Sequence, residues 1–139
     1  MKEHQPGSCF CRECRLRARL AAPTLYGFIG KQPGEPDVLR QVFAWCTWCA
    51  TWHRHGDQDS RPGDILHRYA HCTSDGPYRT TGYLIAVTNI PLREVYGRMR
   101  RASDAQLSAI GDGRITPAIE RLRAQVLPVL RPEHHGGRT

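Results

Sequence analysis

The sequence predicts an α+β protein, with an antiparallel β unit in its middle and two or three helices in its last third. Three observations predict it. Runs rich in β-branched and aromatic residues, separated by turns bearing Gly, Pro and Asp, occupy residues 38–88. From residue 91 the apolar positions change to helical spacing, and helix-capping residues accompany them. Two Cys-x-x-Cys pairs, Cys11/Cys14 and Cys46/Cys49, each set two thiolates along one edge of the tetrahedron that Zn²⁺ prefers, so the β unit reads as zinc-stapled and zinc-ribbon-like.

Residues 1–30 form a Cys/Arg-rich N-terminal segment. Cys9, Cys11 and Cys14 are interleaved and followed by Arg12, Arg15, Arg17 and Arg19, and Leu16 to Leu20 can start a short helix that Pro23 stops. Gly30 to Asp37, with Pro33, Gly34 and Pro36, is a turn region. The β unit, residues 38–88, begins with a strand from Val38 to Trp45 that runs into Cys46-Thr47-Trp48-Cys49 and returns from Ala50 to His55. A polar loop, Asp57 to Asp64, leads to a third strand, Ile65 to Cys72, and a turn at Ser74 to Pro77 leads to a fourth, Gly82 to Thr88.

Residues 91–131 read as helical. Leu92, Val95, Tyr96 and Met99 share one face of a helix from Pro91 to Ala102. Ser103 and Gln106 form a capping-box pair that starts a second helix through Ile110, and Gly111-Asp112-Gly113 breaks it. Thr116 caps a third, with Pro117 in its first turn and Ile119, Leu122, Val126 and Val129 on one face. Residues 132–139 read as a disordered tail.

Composition narrows the function. At 139 residues with 40% apolar content the chain can bury only a thin core, so a metal staple has an energetic task. The net charge of +7 is almost all arginine, the side chain suited to bidentate contact with phosphate or carboxylate. Nucleic acid is therefore the expected partner, with a protein as the alternative. No apolar run reaches the roughly 18 residues a membrane span needs, and the N-terminus shows no signal-like apolar stretch. A cytoplasmic, reducing location follows as an expectation, and there cysteine pairs serve as ligands rather than disulfides.

Two ligand arrangements compete. In one, Cys11, Cys14, Cys46 and Cys49 share a single zinc. In the other, the β unit builds its own site from Cys46, Cys49 and Cys72 with His55 or His71, and Cys9, Cys11 and Cys14 need a further donor such as His4. Alternation along the return strand places Cys49, Thr51, His53 and His55 on one face.

The succession Cys46-x-x-Cys49, His53-x-His55-Gly56, His67-Arg68-x-Ala70-His71-Cys72, Pro77-Tyr78 and Gly82-Tyr83 resembles a pattern in a group of small uncharacterised bacterial proteins, over about residues 45–88. The resemblance implies no activity. It implies that these positions form one compact metal-centred β unit, which favours the second arrangement.

Enzyme classes fare poorly. A zinc nucleobase deaminase needs His-x-Glu before Pro-Cys-x-x-Cys, whereas no His-x-Glu occurs and Trp45 precedes Cys46. A zincin needs His-Glu-x-x-His, also missing. A metal-dependent nuclease using His53, His55, His67 or His71 is the main enzymatic alternative. The favoured reading is a small zinc-binding nucleic-acid-binding or regulatory adaptor, with Arg98, Arg100, Arg101 and Arg121 as the phosphate contacts. A helix-turn-helix is weakly suggested around Ala109, Gly113, Ile119 and Leu122, but Asp112 and Arg114 stand where it buries apolar groups, so a plain helical hairpin is preferred. Trp45, Trp48 and Trp52 are expected to cover the metal-centred core, and an exposed Trp48 would instead suit base stacking.

Overall fold

Helix α1 (Arg12–Ala21) ends just before Pro23, whose ring cannot continue a helix. In this computed structural model, which describes residues 11–56, 59–69, 72 and 76–125, the chain then forms β1 (Thr24–Gly30), β2 (Gln41–Cys46), β3 (Thr51–His55) and β4 (Ile65–Arg68). A single helical turn, α2 (Tyr78–Thr81), precedes β5 (Tyr83–Val87), and α3 (Asp104–Gly111) and α4 (Pro117–Arg123) complete the described fold. The five strands make one sheet in the order β3-β2-β1-β5-β4. The architecture is the expected α+β, and all pairs are antiparallel except β1 with β5.

The central strand is one the sequence reading passed over. Thr24–Gly30 lies within the Cys/Arg-rich segment and contains two glycines, residues that weaken strand patterning. Gly27 is there because nothing larger fits: a Cβ at this position would run into the side chain of Ile85 and press on Val42. The strand is held on both sides, by β2 and by β5.

Register sorts the sheet into two faces. On one, Leu25, Val42, Ala44, Tyr83, Ile85 and Val87 form a buried cluster with Ile29, Leu66 and Tyr78 against it. On the other, Phe28, Phe43 and Trp45 meet Ile90, Leu92, Val95, Met99 and Leu122 from the C-terminal segment. Trp52 stacks on Tyr96 at 6.0 Å and meets Trp45 edge-on at 5.4 Å, so both are core material. They belong to this second face and not to the face that carries Cys46 and His53, which they were expected to cover.

The segment from Pro91 to Ala102 corrects the helix read there. It forms two 3-10 turns, Leu92–Glu94 and Tyr96–Arg98, and then an extended residue, Met99. Leu92, Val95 and Met99 are buried as the periodicity required, but the φ of −121° at Val95 interrupts the ladder. The two following helices start where the reading places them; α4 runs to Arg123, and Val126, Val129 and the tail, residues 132–139, lie outside the described residues. Ser103 and Gln106 form a reciprocal capping box, and Thr116 caps α4 with Pro117 in its first turn. No helix among the described residues is long and apolar enough to cross a membrane.

Candidate metal centre

β2 and β3 pair from Val42 opposite His55 to Cys46 opposite Thr51, leaving residues 47–50 as the hairpin tip. The Ala50 N–H donates to the Cys46 carbonyl at 2.9 Å, closing the turn, and Ala50 takes a φ of 55° to do so. This left-handed conformation costs a non-glycine residue about 1 kcal/mol. It turns Cys49 back toward the face that carries Cys46, Thr51 and His53.

Cys72, beyond β4, completes the group. The donor atoms of Cys46, Cys49, His53 and Cys72 all lie within 4.8 Å of one another and can hold a metal ion. Cys46 Sγ is 3.7 Å from Cys72 Sγ, while His53 Nε2 is 3.2 Å from Cys49 Sγ and 3.8 Å from Cys72 Sγ. Cys46, Cys49 and His53 are buried and Cys72 is half-buried. The Thr51 hydroxyl lies 3.1 Å from Cys49 Sγ. On its open side the group borders a cleft of about 210 Å³ together with Arg54 and Leu107.

Protonation within the group is strongly polarised. Hydrogen bonding to Cys46 and then to Cys72 outweighs burial and holds Cys49 far below the usual thiol range. Hydrogen bonding to Cys46 and Cys49, with burial, drives Cys72 far above it. Burial is the largest single influence on His53 and pulls it down, but hydrogen bonds to Cys46 and Cys49 and their negative charge together push it up to about 9. Like charges packed this closely cannot all ionise unaided, and a bound cation is what allows a full set of thiolates.

A second shell supports His53. Its Nδ1 lies 3.1 Å from the Tyr83 hydroxyl, which lies 2.6 Å from His55 Nε2. Burial first, then the charge of the cysteines, raises Tyr83 well above the usual phenol range, so it stays a protonated donor. With His53 Nε2 turned to the thiolates, its Nδ1–H donates to Tyr83, and the Tyr83 O–H donates to His55 Nε2. This fixes the ring orientation and tautomer of His53. At the tip, the hydroxyls of Thr47 and Tyr78 are 2.6 Å apart. Trp48 packs on Ala109, Ile110 and Ile119, its ring beneath the Arg123 guanidinium at 4.3 Å, and Arg123 Nε donates to the Trp48 carbonyl at 2.6 Å. Trp48 is therefore engaged with the helices rather than offered for base stacking.

The expected ligands distribute as follows. Cys46, Cys49 and Cys72 come together, as the second arrangement required, but the histidine beside them is His53. His55, named as a ligand from the sequence, is buried against Tyr83 instead. Both histidines point to the same face, so alternation alone does not choose between them. Distance does: His55 stands two residues, roughly 6.6 Å, farther from the tip. His71, Cys9 and His4 lie outside the described residues. Cys11 and Cys14 do not join the group; the Cys14 N–H donates to Cys11 Sγ at 3.5 Å in the first turn of α1. His67 Nε2 lies 3.0 Å from the Thr81 carbonyl oxygen. Of the arginines expected to meet phosphate, Arg98, Arg100 and Arg121 border one cleft, whereas Arg101 lies over the Tyr96 ring at 5.6 Å. Set against known protein families, curated proteins and solved structures, the chain matches none.

Proposed function

We propose that this chain is a small zinc-binding adaptor whose metal is structural and whose partner is nucleic acid. The observation that carries the metal half is the convergence of three thiols and one imidazole within 4.8 Å. That soft, four-member donor set suits Zn²⁺. Tetrahedral edges around zinc measure about 3.5–3.8 Å; three of the six donor pairs here lie at 3.2, 3.7 and 3.8 Å, and all six lie within 4.8 Å. Four protein donors fill a tetrahedron and leave no open position for a reacting water, the arrangement of a structural site. The metal would tie the β2–β3 tip to Cys72, which otherwise follows a short edge strand.

The nuclease alternative loses support from the same residues. It needs a histidine available as general base, and of its four candidates the three among the described residues, His53, His55 and His67, are engaged with the thiols, with Tyr83 and with the Thr81 carbonyl, while His71 lies outside the described residues. The adaptor reading draws on the net charge of +7, carried almost wholly by arginine.

The test has two arms. Metal analysis of purified protein should give one tightly held zinc at this centre, and chelation should abolish the folded circular dichroism spectrum, since structural zinc contributes about 10 kcal/mol or more. An unchanged melting temperature after verified metal removal would sink the structural role. Fluorescence anisotropy with nucleic-acid probes should show log affinity falling linearly with log salt, and no binding to any probe at low salt would move the partner to protein.

A further inference from the structure

We infer that the cleft bordered by Arg98, Arg100 and Arg121 is a seat for a terminal phosphate, the monoester end of a nucleic-acid strand or of a free nucleotide. This narrows the adaptor reading and rests on it. The cleft has a volume of about 450 Å³ and is also lined by Gln106, Leu122 and Gln125. Its size falls in the range of small-molecule sites, which run from about 300 to 1,000 Å³.

The arginines come together through local structure, not chance exposure. Met99 is extended and buried, with φ −96° and ψ 127°, so its neighbours Arg98 and Arg100 fall on the opposite, solvent side. Arg121 arrives from the last turn of α4, where a cation complements the helix dipole. Gln125 locks the two segments together: the Arg100 N–H donates to its Oε1 at 3.0 Å, and its Nε2 donates to the Arg100 carbonyl at 2.9 Å and to that of Leu122 at 2.9 Å. Gln106 has its carboxamide oxygen taken by Ser103 N–H at 2.8 Å, leaving its N–H donors for a ligand.

Charge and donor geometry select the ligand. No carboxylate lines the cleft. Among the described residues, no ion-pair or hydrogen-bond partner is found for the guanidinium of Arg98, Arg100 or Arg121. Three guanidinium charges border one concavity, whereas an internal phosphodiester carries a single negative charge and two free oxygens. A terminal phosphate offers three oxygens and a charge of about −1.5 to −2 at neutral pH. Arg101, directed to Tyr96, provides a control of equal charge outside the cleft.

The experiment uses the zinc-loaded full chain and short single-stranded probes of one sequence ending in a 5′-phosphate or a 5′-hydroxyl, with AMP and inorganic phosphate as competitors. The phosphorylated strand should bind about tenfold or more tightly than the hydroxyl strand. The variant R98Q/R100Q/R121Q should bring the two within about twofold, R121Q alone should remove part of the preference, and R101Q should preserve it. Zinc content and circular dichroism check that each variant is folded. Competition by AMP supports a nucleotide as sufficient ligand, and discrimination without AMP competition supports the strand end. Equal binding of the two strands overturns the cleft assignment while leaving the adaptor reading in place. AMP binding without any strand binding overturns the adaptor reading and keeps the cleft. Persistence of the preference in the folded triple variant also overturns the assignment.

Discussion

Cys11-Arg12-Glu13-Cys14 and Cys46-Thr47-Trp48-Cys49 share one spacing and meet different fates. The first lies at the start of a helix, where Cys11 Sγ accepts from the Cys14 N–H as an N-cap side chain would. The second lies at the tip of a hairpin whose register is set by five residue pairs. Its return strand brings His53 to the thiols, and the chain beyond β4 brings Cys72. Two cysteines at this spacing offer an edge of a tetrahedron. Whether two more donors arrive is decided by the elements on either side.

The largest expected effect breaks the comparison directly. Cys49→Ser or Cys72→Ser should empty the centre and unfold much of the protein, because loss of structural zinc removes about 10 kcal/mol or more. Cys11→Ser should leave the centre filled. Metal stoichiometry and a thermal melt check both, and retention of zinc by Cys72→Ser with loss in Cys11→Ser would restore the single Cys₄ arrangement.

A smaller effect tests the second shell, which supports the gathered pair through His53. Tyr83→Phe keeps the ring and its packing but removes the hydroxyl between His53 and His55. Metal affinity should fall about 10- to 100-fold, read by competition with a chromophoric chelator. Affinity within about twofold of wild type would show that the ring is positioned by packing alone.

Next comes pH. In the metal-free protein His53 titrates at about 9 against an ordinary 6.5. A raised folded value contributes stability that is fully present below 6.5 and lost as pH rises through about 9. Metal must displace that proton, so the linkage for binding has the opposite sign. Affinity should climb about tenfold per pH unit across this window for the His53 proton alone, and a flat profile would remove His53 from the ligand set.

The smallest effect probes the tip. Arg123→Gln removes the guanidinium over Trp48 and its hydrogen bond to the Trp48 carbonyl. It should cost about 1–2 kcal/mol in a denaturant melt of the metal-loaded protein without emptying the centre.

The sequence disclosed the parts of the molecule that depend on local chemistry. The hairpin around Cys46, the capping box of Ser103 and Gln106, and Thr116 with Pro117 are specified by neighbours in the chain, and all appear where expected. The central strand was hidden because its role is tertiary. Gly27 reads as a strand breaker until Ile85 and Val42 are seen occupying the space above it. Residues 91–102 misled through ambiguity of period: Leu92, Val95 and Met99 are buried, yet the chain reaches that result through 3-10 turns and an extended residue. The choice of His53 over His55 was open to a distance argument along the strand, but the part played by Tyr83 was not. It depends on β5 lying across the sheet from β3, with β2 and β1 between them.

Trp48 stands between two of the cysteines, next to Cys49 and two positions after Cys46, with its indole held by Arg123 and by α3 and α4. Gly76 lies against the same ring, where no Cβ would fit. An indole so placed has an emission that depends on whether the hairpin tip is closed. Loss of the ion would free the tip, admit water to the ring and take the cation from its face. Of the three tryptophans, Trp48 would thus report whether the candidate centre is filled, readable in ultraviolet fluorescence without a label.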